Sequence, residues 1–328
     1  MQTSELSPVN LSGEDPPLPA SEVVREAGGR TLVEGRAIVV DGRWLRIAHV
    51  RDEEVAENAA IDDPTSFLAR LGESKLHADI FAFRQKLLDD IQRLNFPVYW
   101  DNLAVIPITS YSEWWEKRLS QDGRRNVRRA EKRGVRIELV RFDDNLVRRI
   151  KSTYDETPVR QGRRFWHYGK TLEQVRAENG TYLERSEFLA AYLGEEMIGF
   201  IKLIYVDGAA SISQILAKNA HYDKRPANAL IARAVELCEA RRKSHLIYCN
   251  YNYGKANNSS LTEFKRRNGF EKLSVPRYYV PLTKRGAVAV RLNLHRGVRE
   301  LLPAGIVVPL LKLRARYYAR QTANVQAK

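Results

Sequence analysis

Cysteine is scarce in this chain: there are 2 in 328 residues, Cys238 and Cys249, and no CxxC spacing. That excludes a disulfide framework and a cysteine-based zinc site. It suits a reducing compartment, and a cytoplasmic location is expected. The 6 histidines show no metal-ligand spacing with carboxylates or cysteines, so no metal is expected. There is no GxGxxG, no P-loop and no serine nucleophile elbow, which removes the common dinucleotide, nucleotide and hydrolase motifs. The first residues, MQTSELSPVN, lack the basic and apolar regions of a secretory signal. The apolar run Leu301–Leu311 is eleven residues long. A membrane span takes about 20.

Acidic residues are also short, but only in part of the chain. Residues 1–110 carry 11 Lys and Arg against 18 Asp and Glu, a net of −7, whereas the remainder carries 43 against 22, a net of +21. The basic excess points to an anionic partner such as phosphates, tRNA or a lipid surface, or to a solvated basic surface.

Residues 1–30 are rich in Ser, Pro, Glu and Gly without apolar periodicity and read as a disordered leader. Residues 31–111 form a smaller N-terminal segment. It holds a hairpin turning at Asp41-Gly42, a helix over Pro64–Leu71, a longer helix over Ala78–Leu94, and a buried strand over 103–109. Ser112–Gly134 reads as one helix with adjacent Trp114 and Trp115, of which at most one faces the core squarely. Its basic run includes Arg124, Arg125, Arg128, Arg129, Lys132 and Arg133. A strand (Ile137–Phe142) and a helix (Asn145–Thr153) come next.

The stretch 186–271 organises the rest. Three β-rich runs, Phe188–Leu193, Met197–Val206 and Ala209–Leu216, are joined by short Gly-containing turns. A helix over 226–242 comes after them, with Leu230, Ile231, Ala234, Val235 and Cys238 on one face. Then come a short strand (Leu246–Cys249), a helix near 258–267, and a last strand pair over Phe270–Leu282. The order predicts an α/β (α+β) fold: a mixed, mostly antiparallel sheet flanked by helices, with one crossover unit.

That order, the ending NNSSLTEFKRRNGF and the basic run RNVRRAEKRGVRIELV resemble the GNAT N-acetyltransferase superfamily. Within it, they are similar to the Fem-type peptidoglycan-bridge aminoacyltransferases. The resemblance covers roughly residues 112–283 and implies a GNAT-like domain over 112–295. It further implies an acyl donor, either acyl-CoA (acetyl-CoA) or aminoacyl-tRNA, and an amine acceptor that is a small molecule or a lipid- or envelope-linked group.

In the family the donor pyrophosphate lies on the N-terminus of the helix after the third long strand. Here Lys224, Arg225, Ala227, Asn228 and Ala229 occupy that turn, with Pro226 suited to a first helical position. Both glycines of the usual Arg/Gln-x-x-Gly-x-Gly/Ala motif are missing. The other reading is a plain helix start. Ile215, Leu216 and Ala217 precede the turn, where the family pairs its backbone with the donor. Asn258 is implied as a donor contact or as a helix cap.

The segment ETPVRQGRRFWHYGK (156–170) is polar, aromatic and interrupted by Pro158 and Gly162. In the family this link borders the acceptor pocket. That implies acceptor-binding roles for Arg160, Gln161, Arg163, Arg164, Trp166 and Tyr168; the alternative is an ordered surface loop. Glu156 and His167 are the candidate bases, because a carboxylate or an imidazole can take an ammonium proton. The family's general-acid tyrosine has no match, and Tyr251 and Tyr253 are the candidates to stand in for it.

Residues 296–328 form a basic amphipathic tail. The apolar run 301–311 is flanked by Arg296, Arg299, Lys312, Arg314, Arg316 and Arg320. Such a pattern fits peripheral contact with an anionic membrane through 296–320, at the inner face, or a helix docked on the N-terminal segment. The sequence thus supports two readings: an acyltransferase, or a non-catalytic binding module for RNA or an anionic membrane surface.

Overall fold

The computed structural model describes residues 24–26, 30–56, 59–84, 86–160, 163–252 and 260–296. The expected leader, apart from 24–26 and Arg30, and the tail beyond Arg296 lie outside these residues. So do Gln161, Tyr253 and Asn258.

The N-terminal segment opens with β1 (Val24–Glu26) and β2 (Arg30–Val33), followed by the expected hairpin of β3 (Arg36–Asp41) and β4 (Ile47–Val50). Helix α1 (Pro64–Glu73) starts with Pro64 and is capped by Asp63, whose carboxylate accepts from the amides of Thr65 and Ser66. The helix expected over Ala78–Leu94 does not form. Instead Ile80–Arg84 is β5, every residue of it buried. The cause is tertiary. Phe81 stacks on Phe67 and Phe83, Phe83 packs on Tyr278, and strands on both sides satisfy the backbone. Helical spacing of the later leucines cannot compete with that packing. β6 (Val98–Pro107) closes the segment.

The helix expected over Ser112–Gly134 is broken. Ser110 caps α2 (Tyr111–Glu113), the backbone widens into a π turn over Trp114–Arg118, and α3 (Gln121–Lys132) restarts on Ser120. Arg124 donates from Nη1 to the carbonyls of Trp115 (2.9 Å) and Leu119 (2.6 Å), so this member of the basic run closes the π turn. Trp114 is buried and Trp115 half-buried, as the adjacency predicts.

Next in the chain are β7 (Val135–Val140), α4 (Asp144–Tyr154), a two-strand hairpin of β8 (Val159–Arg160) and β9 (Arg163–Arg164), and α5 (Leu172–Asn179). The meander is β10 (Ser186–Leu193), β11 (Glu196–Val206) and β12 (Ala209–Ala217). After it come α6 (Pro226–Ala240), β13 (His245–Asn250), α7 (Ser260–Arg267), β14 (Glu271–Pro281) and α8 (Lys284–Arg291). The expected last strand pair is thus the single strand β14, whose neighbours come from the N-terminal segment.

Twelve strands form one sheet in the order β1-β2-β3-β4-β5-β14-β6-β13-β12-β11-β10-β7. Only β12–β13 and β4–β5 pair in parallel, each across a helical connection. The N-terminal segment therefore repeats, in shortened form, the hairpin-helix-strand order of the larger unit. The two units exchange strands. β6 lies between β13 and β14, while β14 bridges β6 to β5. α6 covers one face of the meander with Leu230, Ile231, Ala234, Val235 and Cys238 all fully buried. Burying each of Leu230, Ile231 and Val235 contributes about 1.5–3 kcal/mol. α4 and α5 cover the other face with Leu146, Val147, Ile150 and Val175.

Candidate active site

The site begins with a fault in pairing. Opposite β11, residues 202 and 203 of one strand face 214 and 212 of the other, so Ser213 is an extra residue in β12. Such a bulge bends the strand. β12 pairs with β13 only at Ala209–Ser211 against His245–Ile247, and the two strands then part. β13 carries its own irregularity between Ile247 and Asn250, with Cys249 at φ 46°. The gap between the strands opens into a cavity of about 760 Å³.

One wall is the end of β12, with Ile215, Leu216 and Ala217. A second is the start of α6, with Arg225, Pro226, Ala227 and Asn228. A third is the β8–β9 hairpin and the two residues after it, with Val159, Arg160, Arg163, Arg164, Phe165 and Trp166. The rest comes from α3 (Asn126), from Asn219, Tyr222 and Tyr248, and from the α7 region (Ser260, Leu261, Glu263, Phe264, Arg267, Asn268). The expected donor and acceptor segments, more than forty residues apart in sequence, thus face one space.

Its electrostatics are one-sided. Five arginines line it, Arg160, Arg163, Arg164, Arg225 and Arg267, against one carboxylate, Glu263. Hydrogen bonds from Arg266 and Arg267 hold the Glu263 pKa down to about 2. Arg225 sits in the left-handed region (φ 58°, ψ 40°) immediately before Pro226, an uncommon conformation for a residue with a Cβ. Its side chain has no hydrogen bond or ion pair among the described residues, and its Nε is buried without a partner. No side chain caps the N-terminus of α6, and no acid stands in its first turn. Pro226 has no amide hydrogen and the Asn228 amide bonds the Arg225 carbonyl at 3.1 Å, so it is the uncapped dipole of this helix start, with the Arg225 guanidinium, that favours an anion.

Two ties hold these walls. Arg160 donates from Nη1 to the Ala217 carbonyl at 2.9 Å and from Nη2 to Glu156 at 2.9 Å. Asn228 donates from Nδ2 to Oδ1 of Asn268 at 2.9 Å, both side chains being buried, and Asn268 in turn donates to the Phe264 carbonyl at 2.7 Å. α3 is drawn close to α7 at Gly123, where a Cβ would stand 2.5 Å from the Arg267 carbonyl oxygen.

Glu156 and His167 stand behind the walls, not in the cavity. Glu156 accepts from Arg160 and from the backbone amides of Asn219 (2.7 Å) and Ala220 (2.8 Å), where it anchors the turn that leads into α6. His167 is buried under the loop, its ring packed at a tilt against Tyr154 and Trp166. Its Nδ1 lies 3.2 Å from Glu178 and its Nε2 lies 3.1 Å from Gln214 Nε2. Gln214 Oε1 accepts from Tyr154, so its amide nitrogen faces the ring and the imidazole carries its proton on Nδ1. Burial, helped by the nearby Lys170 ammonium, lowers the His167 pKa to about 4.

Other expected residues also fall outside the cavity lining. Lys224 pairs with Asp223, Ala229 is buried in the core beneath α6, and Tyr168 is exposed. Tyr251 packs against the main core, its amide bonded to the Asn102 carbonyl. Conversely, Tyr222, Tyr248, Arg267 and Asn268 line the cavity although the sequence did not single them out. Asn268 carried a signal in hindsight, an amide beside the Gly-Phe that ends the helix. Lys265 is fully buried and donates to the carbonyls of Tyr248 (2.9 Å) and Asn250 (2.6 Å) across the irregular part of β13. Burial lowers its pKa to about 8.

The sequence matches no protein-family model, and no curated protein matches it. In structure the chain is similar to the C-terminal domain of a candidate lysylphosphatidylglycerol synthetase from Agrobacterium fabrum. That likeness has 15% identity and a TM-score of 0.50, covering 79% of this chain and 84% of that one. It is also similar to the L-PGS of Bacillus licheniformis (13% identity, TM-score 0.49, covering 79% and 86%) and to FemX (11% identity, TM-score 0.47, covering 78% and 86%). With its meander, its crossover helix and the parting of β12 from β13, the chain has the GNAT fold that the sequence resemblance implies.

Proposed function

We propose that this protein is an acyltransferase that moves an acyl or aminoacyl group onto an amine acceptor. The observation that carries the reading is the convergence of three features on one cavity: the end of β12, paired to β11 but parted from β13, the uncapped start of α6, and an Arg225 guanidinium without a partner among the described residues. A donor with phosphates would place them on α6 and Arg225, and would lay its acyl carbonyl along the backbone of 215–217. The acceptor would enter past Arg163, Arg164 and Trp166. Both acyl-CoA and aminoacyl-tRNA meet the anionic requirement.

The reaction needs the attacking amine to be neutral and the carbonyl oxygen to be stabilised as charge develops. Among the described residues, Glu263 is the only carboxylate lining the cavity, and a group held at about 2 is a poor base. Glu156 and His167 are engaged on every side that faces the walls. We assign them positioning roles: Glu156 sets Arg160 and the turn before α6, and His167 carries the loop. The acceptor amine then loses one proton to solvent before attack; the bond from the acyl carbon to the donor's sulfur or ribose oxygen then breaks, and that leaving atom takes the amine's second proton.

Thermal-shift titration with acetyl-CoA, longer acyl-CoAs and free coenzyme A tests the donor. Ligand at about a hundred times its dissociation constant adds roughly 2.7 kcal/mol to stability. A saturable shift that Arg225→Glu abolishes supports coenzyme A on α6. No shift with any of the three rules out that donor and moves aminoacyl-tRNA forward. A second reading, a non-catalytic module for RNA or an anionic membrane surface, draws support from the absence of both expected bases from the cavity. RNA binding with a steep salt dependence and no turnover with any donor would favour it.

A further inference from the structure

Far from the cavity, α8 presents an apolar stripe that no other described residue covers. β14 runs about 33 Å from α7, at the cavity, to α8 at its other end, taking about 3.3 Å for each strand residue. α8 is pressed onto the sheet at Gly286, where a Cβ would lie 1.9 Å from the Asp79 carbonyl oxygen, and Ala289 is buried beside it. Its outer side carries Arg285, Val288 and, one turn on, Leu292. Val288 is 56% exposed and Leu292 is 57% exposed. Trp44, from the β3–β4 turn, extends this stripe and is 61% exposed. Arg285 joins the two, lying 5.4 Å over the Trp44 ring and donating to the Trp44 carbonyl.

Charge decides what such a face would meet. Residues 282–296 contain Lys284, Arg285, Arg291 and Arg296 and no acid. Of the nearby carboxylates, Asp79 accepts from the Arg46 amide and from Thr283, and the exposed Asp41 lies 2.9 Å from His49; the four cations outnumber these two, so the face stays basic. Three apolar side chains are far too few for a stable self-association, which buries about 800 Å² on each partner. An exposed Trp beside Val and Leu, ringed by cations, matches the composition of a surface that inserts shallowly into lipid headgroups. In the sequence, the apolar run 301–311 and its flanking cations come soon after Arg296, so the same chemistry continues along the chain.

We propose that Trp44, Val288 and Leu292, with Lys284, Arg285 and Arg291, form a docking surface for an anionic lipid bilayer. The inference is independent of the acyltransferase reading, because none of these residues lines the cavity.

Flotation of the full chain with phosphatidylcholine vesicles, with and without phosphatidylglycerol, tests it. The expected result is binding only to the anionic vesicles, weakening as salt rises. Replacing all three apolar residues (Trp44→Ser, Val288→Ser, Leu292→Ser) should lower the vesicle partition coefficient by at least about tenfold. A second variant, Lys284→Glu with Arg291→Glu, should lose the preference for anionic vesicles. Thermal unfolding of both variants should match the parent, since every altered side chain is exposed. Wild-type protein that stays with the pellet, or a triple variant that floats as well as wild type, would overturn the proposal, the latter leaving the tail as the sole contact. A wild-type dimer that the triple variant converts to monomer in light scattering would also overturn it, assigning the face to a second copy.

Discussion

Arg160, on the short β8–β9 hairpin, is bonded to the carbonyl of Ala217, the last residue of β12, with 2.9 Å between Nη1 and the oxygen. The bond crosses the cavity wall from the β8–β9 hairpin to the end of β12. Its other arm is held by Glu156, and both side chains are largely buried. Arg160→Ala leaves the carboxylate and the carbonyl without that donor. The expected cost is about 2–3 kcal/mol in urea unfolding, the range for breaking a buried, charge-assisted contact. Binding of an anionic ligand should weaken in the same variant by more than in Arg163→Ala, whose backbone strand is exposed.

The Asn228–Asn268 pair makes a separate prediction. Asn228→Ala leaves Oδ1 of Asn268 buried without its donor, at a cost of about 1–3 kcal/mol. A double-mutant cycle with Asn268→Ala should show a coupling of about 0.5–3 kcal/mol, read from denaturation midpoints. Additive costs would show that the two amides act independently.

Glu156 distinguishes a positioning carboxylate from a base. The Asn219 amide and Arg160 use one Glu156 oxygen and the Ala220 amide uses the other, so a glutamine at 156 keeps one of these two acceptor positions and alanine keeps neither. Glu156→Gln should therefore lose part of the activity and Glu156→Ala more of it, with the larger change in KM in both. Equal and complete loss in kcat for both would restore the general-base role. The rate should rise with pH to the acceptor amine's own pKa, and that limb should move when an acceptor of different basicity is used.

Stability should fall as the solution is acidified, and His167 should be part of the reason. Its pKa is about 4 in the folded protein, against an ordinary 6.5. Between those values the unfolded chain binds the proton and the folded one does not. The contribution is complete above about 6.5 and is lost as pH falls toward 4. His167→Asn should flatten the pH dependence of the urea midpoint over that window. An unchanged slope would show that other groups carry it.

The three-strand meander, its two tight turns, the α6 helix with its apolar face and the start at Pro226 were determined by local sequence. Period, turn residues and helix-start chemistry act over a few positions and need no distant partner. The same holds for the concentration of cations in the second part of the chain, from which the arginine-rich cavity draws.

The tertiary structure decided the rest. Ile80–Arg84 is a strand because β4 and β14 satisfy its backbone and Tyr278, nearly two hundred residues away, completes its aromatic stack. β6 enters the larger unit's sheet because β13 and β14 leave an edge on either side of it. The helix over 112–134 breaks because Trp114 must reach the core and Gly123 must meet α7. Residue type alone makes Glu156 and His167 look like bases. Hydrogen bonds from Asn219, Ala220 and Arg160, and the packing and burial around His167, set them behind the cavity wall. A sequence shows which side chains can take a proton, but only the packed neighbours determine which of them can still reach one.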